Sequence, residues 1–89
     1  MDEIKDRIRQ FILTRYLPGE LPANLTDDTP LRTSGVLDSM ATLAVVDFVE
    51  KEFKIELEAH ETGVERFDSI GAIAQLVSEK QGQSGAGRP

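Results

Sequence analysis

Ser39, placed directly after Asp38, sets one hydroxyl beside one carboxylate at a point where the chain changes character. The pair lies in the stretch GVLDSM, residues 35–40, where a loop gives way to a long apolar helix pattern. Asp and Ser are both favoured at such a junction, because their side chains accept hydrogen bonds from N–H groups that the first helical turn leaves free. A helix cap is the plain reading of the pair. A reactive hydroxyl is the reading that would give it chemistry.

Catalysis by a serine requires a base to take its proton and donors to hold the oxyanion that forms. The single histidine, His60, falls after the helix pattern and is expected in an exposed loop or helix start. No G-x-S-x-G elbow surrounds Ser39. The acids of DDTPLRTSGVLD, residues 27–38, do not follow the spacing of a calcium loop, and their glycine is misplaced. No glycine-rich phosphate cradle ending in Lys-Ser or Lys-Thr occurs. These residues offer no self-contained active site, and the chain is not expected to be an enzyme.

At 89 residues there is material for one small domain and no second core. There is no cysteine, so packed helices must hold the fold without disulfides or thiolate zinc sites. No apolar run approaches the ~20 residues of a membrane span, and the opening MDEIKDR lacks the apolar centre of a signal peptide. A soluble, cytoplasmic monomer is the expectation. Sixteen acids against ten bases give a net charge of −6, concentrated in one region. Residues 1–16 balance at +1, from Lys5, Arg7, Arg9 and Arg15 against Asp2, Glu3 and Asp6, whereas residues 47–68 carry eight acids against three bases, or −5. Such a face repels nucleic-acid phosphates and steers toward basic protein surfaces.

The elements that must position Ser39 emerge from periodicity. Ile4, Ile8, Phe11, Ile12 and Tyr16 recur at three-and-four spacing, predicting a helix over Glu3–Tyr16 with Asp2 as its cap. Leu17-Pro18-Gly19 ends it. A connection of about twenty residues comes next, longer than compact domains usually tolerate without ordering or function. Leu21, Leu25, Leu31, Val36 and Leu37 are spaced to lie across the helices, with a short helical turn open at Thr33 and Ser34. The second helix spans Ser39–Phe53. Thr42, Val45, Val46, Val49 and Phe53 form its core face, while Met40, Ala44, Asp47 and Lys51 lie opposite, bordered by Leu43 and Glu50. That outer face keeps an apolar patch backed by charge, which suits protein docking; alternatively, Met40 and Leu43 pack under the long loop.

Residues 54–59, KIELEA, alternate like a strand but have no partner strand. A brief third helix is expected over Glu61–Phe67, weakened by Gly63. A fourth runs over Ile70–Lys80, capped by Asp68 or Ser69, with Ile70, Ile73, Ala74 and Val77 inward. GQSGAGRP, residues 82–89, reads as a disordered tail after a domain over residues 1–81.

The run from Gly35 through Asp38-Ser39-Met40 to Phe53, with this helix order, length and acidity, resembles the carrier proteins: acyl, peptidyl and D-alanyl. The resemblance spans roughly residues 2–81, and Asp38-Ser39-Met40 stands where the family usually has Asp-Ser-Leu. It implies an all-α four-helix carrier bundle, three helices long and one short, with the long loop between helices 1 and 2. It further implies that Ser39 is esterified with 4'-phosphopantetheine from coenzyme A. The terminal thiol of that arm would hold an acyl or aminoacyl group as a thioester. By the same resemblance, Asp38 contacts the phosphopantetheinyl transferase and its metal-bound coenzyme A, and partners dock on Met40, Leu43, Ala44, Asp47, Glu50 and Lys51.

Departures from the family pattern narrow the type. Fatty-acid carriers tend to be acidic where Ala44 and Lys51 stand here, and the Gly-Gly-x-Ser approach of peptidyl carriers is missing. Leu-Asp-Ser-Met looks more like free-standing carriers loaded by a dedicated adenylate-forming ligase and serving a downstream acyltransferase or synthase. The competing expectation is a small acidic helical interaction module with no prosthetic group.

Overall fold

The computed structural model describes residues 2–86, and its four α-helices are α1 (Asp2–Tyr16), α2 (Ser39–Phe53), α3 (Val64–Phe67) and α4 (Ile70–Ala86). Three are long and one is short, joined by 3₁₀ turns at Pro22–Asn24 and Ala59–Thr62, and no strand occurs among the described residues. The helical bundle is that of the expected carrier architecture. α1 and α4 share the most extensive packing, with α2 against both.

The core is where the periodicity put it. Ile8 and Ile12 of α1, Val45 and Val49 of α2, and Ile70, Ile73, Ala74 and Val77 of α4 are fully buried. Removing such side chains from water is the main force holding a chain of this size together. Leu13, Ala41 and Leu76 join them, whereas Val46 and Phe53 are only half-buried. Phe11 and Phe48 stack at the α1–α2 seam with ring centroids 4.3 Å apart.

The long connection is fastened rather than free. Leu25, Leu31 and Leu37 are buried in the core, while Leu21 stands exposed. The Asp27 carboxylate accepts from Lys5 Nζ at 2.9 Å and also pairs with Arg9, both on α1. Its carbonyl accepts from Gly71 N of α4 at 2.9 Å. Gly71 permits this approach, since a Cβ there would come 3.3 Å from that oxygen. Thr33 and Ser34 lie in a hydrogen-bonded turn and not in a helix.

Two boundaries differ from the sequence reading. The expected helix over 61–67 is split at Gly63, whose extended backbone (ψ 170°) separates the 3₁₀ turn from α3. KIELEA is a connection without a strand, as its lack of a partner strand predicts: Ile55 is buried and Leu57 N donates to Glu50 Oε2 at 2.8 Å. α4 continues beyond Lys80 to Ala86, so residues 82–86 of the expected tail are helical, and 87–89 lie outside the described residues. Glycine costs a helix only about 1 kcal/mol relative to alanine, and no proline intervenes before residue 89 to stop it. At the far end of α2, Lys54 adopts the left-handed conformation (φ 57°) and its N–H caps Glu50 O.

Candidate functional site

The start of α2 is built by Asp38. Its backbone is extended (φ −86°, ψ −172°), and its Oδ1 accepts from Ala41 N at 2.8 Å, satisfying a donor that the first turn leaves free. Its carbonyl accepts from both Thr42 N (2.9 Å) and Thr42 Oγ1 (2.7 Å), so a buried threonine fixes the same residue from below. Ser39 is then the first helical residue, and it is exposed. Among the described residues no hydrogen bond engages its hydroxyl. Asp38 takes the cap and Ser39 is left free, so the two residues have separate duties.

The outer face of α2 is not uniform. Met40 and Leu43 are 75% and 59% exposed, so they do not lie under the loop. Asp47 and Lys51 are exposed and paired with each other at 3.1 Å, one helical turn apart. Such a pair contributes little to stability. Ala44 is half-buried and lines a hollow against α1 with Phe11, Arg15 and Phe48, and Asp47 and Lys51 border the same hollow. Glu50 is half-buried with its carboxylate turned to the 54–59 connection, where it holds Leu57 N. Met40, Leu43, Asp47 and Lys51 are all exposed, Asp47 and Lys51 on the side that Ala44 shares with the α1 seam, whereas Glu50 has an internal partner.

His60 lies exposed in the Ala59–Thr62 turn. Among the described residues no cluster of His, Cys, Asp or Glu could hold a metal ion, and no helix is long and apolar enough to cross a membrane.

One site feature was not anticipated. Asp68 Oδ1 accepts from three consecutive backbone N–H groups: Leu31 at 3.1 Å, Arg32 at 2.8 Å and Thr33 at 3.0 Å. Thr33 Oγ1 adds bonds to both carboxylate oxygens at 3.3 and 3.2 Å. The N–H of Thr33, above all, holds this carboxyl below its ordinary range; the N–H groups of Arg32 and Leu31 and the Thr33 hydroxyl act in the same direction, and burial opposes them. The sequence carried a faint signal. Asp68 and Ser69 are two capping residues for one position, and Ser69 Oγ takes it by accepting Ala72 N at 3.1 Å. That leaves Asp68 available for another duty.

The chain is 29% identical over 86 residues to a curated protein named "Probable acyl carrier protein PigG" from Serratia sp. (strain ATCC 39006), covering 93% of this chain and 98% of that protein. No family model matches the chain. Similarity along nearly the whole length, joined to a bundle of three main helices and a short one, supports an acyl carrier protein-like family for this protein.

Proposed function

We propose that this protein is a carrier that tethers an acyl or aminoacyl group through a 4'-phosphopantetheine arm on Ser39 and presents it to partner enzymes in turn. The observation that carries the reading is the exposed Ser39 hydroxyl, free of hydrogen bonds among the described residues, at the first residue of a helix already capped by its neighbour. Similarity to a protein named as an acyl carrier supports a carrier role.

The residues present fit such an arm. Ser39 Oγ would lose its proton to the transferase and bond to the phosphorus that carries the pantetheine, the P–O–P bond of coenzyme A breaking and adenosine 3',5'-bisphosphate leaving. When bound, the arm supplies a terminal thiol that holds the cargo as a thioester. Asp38 would meet the transferase with the carboxylate oxygen not engaged by Ala41 N. The bundle holds that point steady, and Met40 and Leu43 with Asp47 and Lys51 give partners an apolar patch edged by charge beside it. Ala44 and Glu50 complete the proposed docking face at its borders. Weak contacts suit a shuttle, and charge complementarity raises encounter rates more than affinity. The chain itself performs no chemistry on the cargo and works as a cytoplasmic monomer.

Incubation with coenzyme A and a broad-specificity phosphopantetheinyl transferase, followed by intact mass measurement, tests this directly. The wild type should gain one arm and Ser39→Ala none. An unchanged wild-type mass would instead favour an acidic helical interaction module without a prosthetic group. We further propose loading by a stand-alone adenylate-forming ligase for a dedicated pathway. The Lys51–Asp47 pair and Ala44 leave the face beside Ser39 less acidic than fatty-acid carriers tend to be there. Competition between such ligases and fatty-acid synthase enzymes for the holo-protein decides it; efficient malonyl loading and elongation, with no ligase product, would reverse it.

A further inference from the structure

Asp68 lies between α3 and α4, 35 to 37 positions along the chain from the three N–H groups its Oδ1 holds. Its own carbonyl also accepts from Leu31 N at 2.7 Å. Those bonds grip one end of a closed segment. Leu37 N returns to Leu31 O at 2.9 Å, Gly35 N to Arg32 O at 3.2 Å, and Ser34 Oγ to Pro30 O at 2.6 Å. Gly35 makes the closure possible with φ +89°, a conformation that residues with a Cβ rarely adopt. Leu31 and Leu37, at the two ends, are both buried. The next residues are Asp38 and Ser39.

Three successive N–H groups converging on one oxygen form an anion-binding concavity, here filled by the protein's own carboxylate. Bonds to an ionised acceptor are about twice as strong as neutral ones. Ser69 already caps α4, so Asp68 is not needed for that end. The carboxylate serves the segment that leads into Ser39.

We infer that Asp68 is a positioning residue for modification at Ser39: its carboxylate latches segment 31–37 and so fixes where and in which direction Ser39 leaves the bundle. The inference rests on Ser39 being the residue modified. It does not require Asp68 to touch coenzyme A or the transferase.

The test measures transferase kinetics with this protein as the varied substrate, for the wild type, Asp68→Ala, Asp68→Asn and Thr33→Val. Thermal melts and amide hydrogen exchange accompany the rates. For Asp68→Ala, kcat/KM should fall about tenfold, equivalent to ~1.4 kcal/mol of transition-state stabilisation. The loss should lie in kcat with KM little changed, because the outer face of α2 is untouched. Asp68→Asn keeps one acceptor oxygen and should recover part of the rate, while Thr33→Val keeps all three backbone bonds and should stay near wild type. Faster exchange should be confined to residues 31–39.

Wild-type kinetics and exchange in both Asp68 variants would overturn the inference and leave the Ser39 reading intact. A fall in rate matched by a lower melting temperature and uniformly faster exchange would also overturn it, reducing Asp68 to a stabilising contact. A wild-type protein that gains no mass would remove both readings together. Should Asp68→Ala not fold, Asp68→Asn against Thr33→Val carries the same comparison.

Discussion

The dipeptide Asp-Ser occurs twice at a loop-to-helix junction, at 38–39 before α2 and at 68–69 before α4, and the two copies divide their labour differently. At the first, Asp38 bonds Ala41 N and Ser39 enters the helix with its hydroxyl unused. At the second, Ser69 bonds Ala72 N and Asp68 turns back to the 31–33 backbone. The cap has moved by one residue. In both cases the other member of the pair is released from capping: a hydroxyl without a partner among the described residues at one junction, a carboxylate that holds a distant loop at the other. The helical residues after each serine differ too. Met40 and Leu43 are exposed, whereas Ile70 and Ile73 in the same relative places are fully buried. One helix start is turned to solvent and the other into the core.

The contrast between the two junctions can be broken most sharply at the serines. Ser39→Ala should abolish arm attachment completely while changing stability by no more than about 0.5 kcal/mol, the usual range for a surface site. Ser69→Ala should leave attachment intact. Mass spectrometry and a denaturant melt on the two variants check both halves.

The next largest effects concern the residues after each serine. Ile70→Ala should cost ~2–5 kcal/mol, as buried isoleucine truncations do. Met40→Ala and Leu43→Ala should cost well under ~1 kcal/mol, typical of exposed positions, yet slow transfer to a partner. Large stability losses at Met40 and Leu43 would make them core residues and remove the docking face.

Smaller still are the caps. Asp38→Ala and Ser69→Ala should each lower unfolding free energy by ~0.5–2 kcal/mol, the range for lost N-caps. Only the first should also impair recognition by the transferase. Equal transferase kinetics in the two would mean that Asp38 is a cap and nothing else.

The mildest effect is a pH response. The Asp68 carboxyl is held below its ordinary value, chiefly by Thr33 N–H, so it binds protons less readily folded than unfolded. Its contribution is fully present above the unfolded carboxylate value of about 3.9 and is lost as pH falls through the lower folded value. An NMR titration should show the Asp68 midpoint below that of Asp68 in the urea-unfolded chain, with Thr33 N–H shifting in step.

Much of this was legible because it is local. α2 begins and ends at the residues its periodicity predicted, Ser39 and Phe53, and the inner stripe of α4 was read in full apart from Leu76. The rest depends on pairings that no local pattern encodes. Glu50 is predicted at the border of the outer face, but its carboxylate is drawn inward by a backbone N–H seven positions away. The Asp68 latch joins residues more than thirty positions apart through main-chain groups, which carry no residue-specific signature. The end of α4 was misplaced because glycine weakens a helix without forbidding it.

The fastening of the long connection also bears on when the protein becomes competent as it is made. Lys5 and Arg9 can seize Asp27 early, but Asp27 O waits for Gly71 N, and Leu31 to Thr33 wait for Asp68. Chains emerge from the ribosome N-terminus first, at ~5–20 residues per second. Ser39 therefore leaves the ribosome ahead of Asp68 and Gly71, the groups that latch its approach. A nascent chain offers that hydroxyl on a loose segment, and the ordered presentation seen in the bundle arises only after residues 68–71 have emerged in turn and docked.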